Sequence, residues 1–535
     1  MAKTRLFGKL RRIVASVLAE RPSRPRGSDV GRFHLTRRQL TWGSAQLAAA
    51  GALSACAGQG DEKRPGSERV AVVGAGIAGL HCAYRLQQSG VDVSLYEASG
   101  RVGGRMFTAR DDAYDDQVFE LGGELIDSNH AALIALAKEL DITLDDRLDP
   151  EIQPDVWFVA GAEVPEATIV EQFTAVAPTM ADAVAAADNE DDDTAFNELD
   201  RSALSDWLAE NVPPETYPEL HAILTCAYRG EFGLETERQS ALNLLYLIGS
   251  DEPDPFRIFG ESDERYHARE GSDAFATRLA AKLNDGVLSL NLKLTALSGG
   301  DDRGYKLLLT DTKSGSKSEV HADHVVLALP YSILRKLELS VPLSDLKRQI
   351  IDELGYGTNA KVMGQFDSRV WREELQKSGT VTSDLALQQL WDSSMGQPGK
   401  RGILTNFLGG DAGVDVGAGE PEDYYATILP DVERVFPGTQ GAYRTGSARR
   451  MHWPSYEFSE GSYTCYLPGQ WSFWGHEGER EGNVHFCGEH TSADFQGWME
   501  GGAETGAFAA KEVLDDLGRA PSKELAKILK AKGRS

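Results

Sequence analysis

At 535 residues the chain is roughly three to four times the length of a typical domain. Its 41% apolar and 26% charged composition is that of a folded soluble protein and excludes a disordered, collagen-like or multi-pass membrane chain. Five scattered cysteines exclude a disulfide framework or zinc ribbon, no metal site is expected, and a net charge of −27 argues against nucleic-acid binding.

That charge is unevenly spread. Residues 1–56 hold eleven Lys/Arg against two Asp/Glu, +9, which leaves −36 for the remainder. Within this basic front, Thr36-Arg37-Arg38-Gln39-Leu40-Thr41-Trp42 precedes a charge-free Ala/Gly-rich run to Cys56. An arginine pair before a weakly apolar segment resembles a twin-arginine export signal. The run is too short and Ala-rich to span a bilayer well, so a removable signal is expected rather than an anchor. Leu53-Ser54-Ala55-Cys56 resembles a bacterial lipobox in which Cys56 becomes the lipidated first residue; ordinary cleavage near Ala55–Ala57 is the alternative. Residues 57–68 then form a tether.

Val70–Val73 predicts a short buried strand, followed by Gly74-Ala-Gly76-Ile-Ala-Gly79 and a helix to about Gln88. Val91–Tyr96 predicts a second strand ending at Glu97. Glycines at these positions allow a tight turn, close backbone approach to a pyrophosphate and close helix packing, with the helix N-terminus facing the phosphates. Glu97, 18 residues beyond Gly79, is placed for ribose hydroxyls. The run Arg101-Val-Gly103-Gly104-Arg105 directly after the second strand separates FAD from NAD: it resembles the second fingerprint of FAD-binding amine oxidases. Its glycines expose backbone N–H groups to a phosphate, and Arg105 adds charge-assisted bonds.

From here the chain resembles the flavin-containing amine oxidase superfamily, which includes monoamine, polyamine and L-amino-acid oxidases, over roughly residues 69–518. Glu120-Leu-Gly122-Gly123-Glu124 resembles the segment along the flavin edge. Ala322–Pro330 is similar to the strand returning to the FAD domain. Phe486-Cys-Gly488-Glu489-His-Thr491 and Gly497-Trp498-Met499-Glu-Gly501 resemble the pair that closes over the flavin. The resemblance implies an α/β fold of two interleaved domains: a Rossmann-like FAD-binding domain from 69–128, 265–335 and 448–518, and a mixed sheet-plus-helices substrate domain from 129–264 and 336–447. Residues 519–535 form a tail, with Leu525–Lys530 expected as a surface helix.

The resemblance also assigns chemistry. Lys361 in Asn-Ala-Lys-Val-Met matches the lysine that holds a water against the flavin. Tyr463 and Trp498 match the two aromatic rings that guide an amine toward it, and Trp453, Leu294 and Met499 are expected cofactor contacts. Monoamine oxidases tether the flavin through a cysteine where this chain has Ser462, so non-covalent FAD is expected; Cys465 lies three positions on. L-amino-acid oxidases hold the substrate carboxylate with an arginine where this chain has Leu125, whereas Asp127 matches an acidic or histidine position of polyamine oxidases. Asp384 is a second candidate substrate acid. The expected activity is oxidative deamination of an amine, with a di- or polyamine favoured, by O2 to an aldehyde and H2O2. The protein would be exported through the twin-arginine machinery, held to a membrane only by a possible lipid anchor. An L-amino-acid oxidase using Arg229 or Arg257 is the alternative, and a cell-surface flavoprotein without oxidase turnover is a lesser one.

Overall fold

The computed structural model describes residues 68–534 apart from 112–113, 115–116, 149–154 and 190. Arg37, Arg38 and Cys56, with the proposed signal and nearly all of the tether, lie outside the described residues. Among the described residues no helix is long and apolar enough to cross a membrane.

The first unit is built on a five-stranded parallel sheet. Its strands run in the order Leu288–Ser289, Asp92–Tyr96, Arg69–Val73, His324–Leu327 and Val484–Phe486. Side chains alternate across it, as strand geometry requires. Val70, Val72, Leu95 and Val326 face a layer that includes the helices Ile77–Gln88, Asp273–Lys282 and Met499–Asp516. Ala71, Val73, Val325 and Leu327 face a four-stranded sheet through its Leu294, Leu297, Leu307 and Leu309. Both faces are covered, which is why these strands read as continuous apolar runs.

A seven-stranded mixed sheet forms the second unit, in the order Arg449–His452, Ala360–Phe366, Gly402–Leu408, Gln389–Asp392, Val381–Ser383, Val156–Val159 and Ala162–Val164. Helix Pro421–Val435 packs on it through Tyr425, Ile428 and Val432. The edge strand Arg449–His452 pairs with Ala360–Phe366, so this sheet extends beyond 447 and the chain returns to the parallel sheet only after His452. At the other crossover, helix Ala131–Glu139 packs in the parallel-sheet core, and Glu500 accepts from the N–H groups of Ala132 and Leu133 at 2.9 and 2.8 Å. The segment packed on the parallel sheet therefore continues past 128, because this helix's N-terminal donors find their acceptor there.

The tail is a helix, Lys523–Ala531, but more than a surface one. Leu525, Ile528 and Leu529 are buried in the same core, and Lys532 ion-pairs with Glu500 and, at 2.7 Å, with Glu504.

Candidate active site

A cavity of about 580 Å³ runs between the two units, lined from the glycine turn after the first strand to the face of the seven-stranded sheet. Its first half is shaped to admit a dinucleotide. Gly74 has φ +99°, and a Cβ there would lie 2.5 Å from the Ala328 carbonyl oxygen; at Gly79 it would lie 1.9 Å from the Gly74 carbonyl oxygen. At Gly76 a Cβ would meet no protein atom, so this position fronts the cavity. The helix opening at Ile77 has no side-chain cap and no acid in its first turn, which leaves its N–H donors and dipole available to an anion.

Glu97 lines the same stretch, its carboxylate held by the N–H groups of Ala75 and Ser99 at 2.7 and 2.8 Å. Gly103, Gly104, Arg105, Leu294 and Gly488 also line the cavity. Arg105 Nη1 donates to Ser462 O and to Glu489 Oε1, both at 2.7 Å. Burial pushes the Glu489 carboxyl up, but Arg105, His490 and the Gly497 N–H outweigh it and hold it below the ordinary range. The cradle, the uncapped helix and the arginine together fit an FAD.

Farther in, the expected flavin-edge segment is packed without slack. A Cβ on Gly122 would fall 1.8 Å from Arg105 O, and one on Gly123 would fall 2.7 Å from Met499 Cγ. Trp453 Nε1 donates to Leu121 O at 3.1 Å and its ring closes the wall. Tyr463, Trp498 and Met499 line the cavity, and Tyr463 Oη donates to Gly230 O at 3.1 Å.

Lys361 comes from strand Ala360–Phe366, next to the edge of the seven-stranded sheet, and is 5% exposed. Its Nζ donates to Gly122 O at 2.8 Å, Glu120 O at 3.2 Å and Glu124 Oε2 at 2.9 Å, so all three ammonium protons serve the flavin-edge segment. Trp391 Nε1 and Ser393 Oγ donate to the same carboxylate at 3.0 and 2.9 Å. Burial pushes Glu124 up; Lys361, with His267 and Arg147, outweighs that and lowers it to about 2. Glu124 is thus held as the carboxylate in a fully bonded pair.

Ser462 Oγ donates to Asn359 Oδ1 at 2.6 Å on the cavity wall. Cys465 is fully buried in the core beside Asn243, off the cavity, and burial pushes its thiol up. Among the described residues, no cysteine lines the cavity.

The two candidate substrate acids are placed elsewhere. Asp127 is 1% exposed and does not line the cavity. One of its oxygens takes Ser262 Oγ at 3.1 Å and Glu264 N at 2.8 Å, and the other lies 3.3 Å from His130 Nε2. Asp127 therefore ties the 127–130 turn to the 262–264 loop and has no face for a substrate. Asp384 is exposed in the turn after Val381–Ser383 and accepts from Ala160 N at 3.0 Å, again off the cavity. Arg229 is spent on Glu235 at 2.6 Å and does not reach the wall; Arg257 does, paired with Asp251 at 2.9 Å.

Sequence reasoning missed the charged groups that do line the inner cavity: Asp155, Glu231, Glu264 and Arg147. Burial, then Glu264 and Asp127, raise Glu231 to about 8. Poor solvation of its carboxyl, then Asp127, Asp155 and Glu124, raise Glu264 to about 7 against the pull of Arg147, although its side chain is open on the cavity side. Asp155, although its side chain is open on the cavity side, is raised too, by the poor solvation of its carboxyl. For Glu231 a signal was present: it stands in the last turn of the mostly apolar helix Pro218–Phe232 between buried Gly230 and Phe232, an expensive place for an acid without a task.

The comparisons agree with this geometry. Residues 77–514 match the family model described as flavin containing amine oxidoreductase. A putative L-amino-acid oxidase of Bacillus subtilis is 25% identical over 470 residues, 83% of this chain and 94% of that protein. The flavin-containing amine oxidase B of Cavia porcellus is 24% identical over 477 residues, 85% and 88% of the two chains. Among solved structures, putrescine oxidase superposes with a TM-score of 0.70 at 22% identity, covering 84% of this chain and 99% of that one. Cyclohexylamine oxidase from Brevibacterium oxydans IH-35A gives 0.71 at 21%, covering 85% and 100%. With a glycine cradle for the dinucleotide, a fully bonded lysine at the flavin-edge segment and a match spanning most of its length, the chain belongs to the flavin-containing amine oxidoreductase family, oxidases that act on CH–NH2 donors.

Proposed function

We propose that the protein is an exported oxidase of a diamine or polyamine that uses non-covalently held FAD. Bound FAD would supply the hydride acceptor and the route for electrons to O2. Gly74, Gly76, Gly79, Glu97 and Arg105 would hold its dinucleotide, with Gly122, Gly123, Trp453 and Met499 along the ring. The observation that carries the substrate reading is the acidic inner wall, where Asp155, Glu231 and Glu264 face the cavity with Arg147 interposed.

The reacting nitrogen must be neutral, because its lone pair assists loss of the hydride. Deprotonating an amine of pKa about 10.4 at pH 7 costs about 4–5 kcal/mol. Tyr463 and Trp498 offer that nitrogen aromatic walls rather than a carboxylate. A second ammonium on the same substrate would meet Glu231 and Glu264, drive both toward their ionised forms and fix the register of the chain. Ser462 in place of a cysteine, its hydroxyl turned to Asn359, supports non-covalent flavin.

Arg147 favours a second reading, an α-amino acid held by its carboxylate. It lines the cavity, and its charge bears on Asp155, Glu264 and Glu124. Peroxide release on putrescine and spermidine, set against L-arginine, L-lysine and L-phenylalanine, separates the two. The di- or polyamine should turn over best, and Glu231→Gln should raise its KM about tenfold, the loss expected for one charged contact. Fastest turnover of an α-amino acid, abolished by Arg147→Gln, would replace the first reading with the second.

A further inference from the structure

Away from the cavity, the opposite ends of the same parallel strands carry a cluster with no part in amine chemistry. His324 opens the strand His324–Leu327, and His485 sits on the neighbouring strand opposite Val326. Strand alternation turns both imidazoles to the helix-covered face, where their rings stack with centroids 5.8 Å apart. Asp516, the last residue of helix Met499–Asp516, meets them there. Its Oδ2 lies 3.9 Å from His324 Nδ1 and 3.8 Å from His485 Nε2.

We propose that His324, His485 and Asp516 form a binding site for a divalent transition ion of the zinc class, which clamps the end of the helix to the two strands. Two nitrogens and a carboxylate oxygen within 4.8 Å of one another are the donor set such borderline ions prefer. Ligands about 2.1 Å from a tetrahedral ion stand about 3.4 Å apart, so the three atoms need to close by at most about 1.4 Å. The imidazoles are 4% and 0% exposed, and His324 Nδ1 and His485 Nε2, the atoms nearest Asp516, have no hydrogen-bond partner. Buried polar atoms are rarely left so. The other nitrogen of His485 is already oriented: Nδ1 lies 2.9 Å from Glu512 Oε2, which keeps the proton there and the lone pair on Nε2. A carboxylate behind a metal-binding imidazole is the usual outer partner of such a ligand. One group opposes the ion, since Arg480 bonds Asp516 Oδ2. The histidines are 161 positions apart in sequence, so no ligand spacing announces the site.

The test uses the FAD-loaded full chain without a histidine tag, stripped with a chelator and titrated with Zn2+ by calorimetry, and with Co2+ by visible absorption. One equivalent should bind per chain, with the d–d bands of a four-coordinate ion, and should raise the thermal midpoint. His324→Ala and His485→Ala should weaken binding more than tenfold, and Glu512→Gln by about tenfold. Arg480→Gln should tighten it by freeing the carboxylate. If a histidine variant does not fold, Asp516→Asn at the exposed rim carries the same test. Absence of stoichiometric binding to the parent chain, or affinity unchanged in the ligand variants, overturns the proposal.

Discussion

Replacing Lys361 with methionine removes the ammonium that pairs directly with Glu124 while keeping most of the side-chain volume. The Glu124 carboxyl stands at about 2 against an ordinary 4.5, a difference of about 2.5 in pKa. At 1.36 kcal/mol per pKa unit this corresponds to about 3.4 kcal/mol of stability. His267 and Arg147 supply part of that. Removing one partner of a buried pair, however, typically costs about 3–5 kcal/mol, because the other charge is left behind. We expect Lys361→Met to lower the unfolding free energy by about 3 kcal/mol at pH 7.

The pH dependence has a definite sign. The folded-state value is depressed, so the stabilisation is complete above about 4.5 and fades as pH falls toward about 2. The gap between parent and variant should be wide at neutral pH and close through that window. Adding Glu124→Gln to Lys361→Met should restore much of the loss, since no buried charge remains. Urea unfolding followed by tryptophan fluorescence, at saturating FAD throughout, measures all four members of the cycle. A single variant as stable as the parent, or a double variant no better than the single, would refute the reasoning.

Acid precipitation should release all the flavin as free FAD, since Ser462 faces Asn359 and Cys465 is buried off the cavity; yellow colour retained on the polypeptide would contradict this. Asp127→Ala should destabilise the fold by about 1–3 kcal/mol through the orphaned Ser262 and Glu264 donors. It should change KM for mono- and diamines alike, so a loss confined to diamines would return Asp127 to the substrate site. In the native host, Arg37→Lys with Arg38→Lys should leave precursor in the cytoplasm, and Cys56→Ser should release a membrane-associated protein into the soluble fraction. Normal export of the double-lysine chain, seen by fractionation, would exclude the twin-arginine route.

What the sequence disclosed follows the range of the forces involved. Gly74, Gly76, Gly79 and Glu97 act within one strand–turn–helix–strand unit, so spacing along the chain equals placement in space. Asp127 is different. It follows the flavin-edge segment in sequence, but Ser262 and Glu264, more than 130 positions away, decide that its carboxylate turns inward. The inner wall assembles Arg147, Asp155, Glu231 and Glu264 from three separate stretches, and no local pattern brings them together. Strand Arg449–His452 shows the same limit: an edge strand's partner is set by pairing, here with Ala360–Phe366, and not by its own residues.

The parallel sheet also sets a timetable for synthesis. Its first strand leaves the ribosome with residue 73, but the strand that covers the edge of His324–Leu327 ends at residue 486, and the helix packed on Ile77–Gln88 ends at residue 516. At about 5–20 residues per second, the sheet begun by the first strand is completed only on the order of 20–80 s later. During that interval the nascent chain presents an unpaired apolar edge of the kind that templates aggregation. Chains cut short before residue 484 lack the strand that covers this edge, so they should accumulate as chaperone-bound or insoluble material rather than as partly active enzyme.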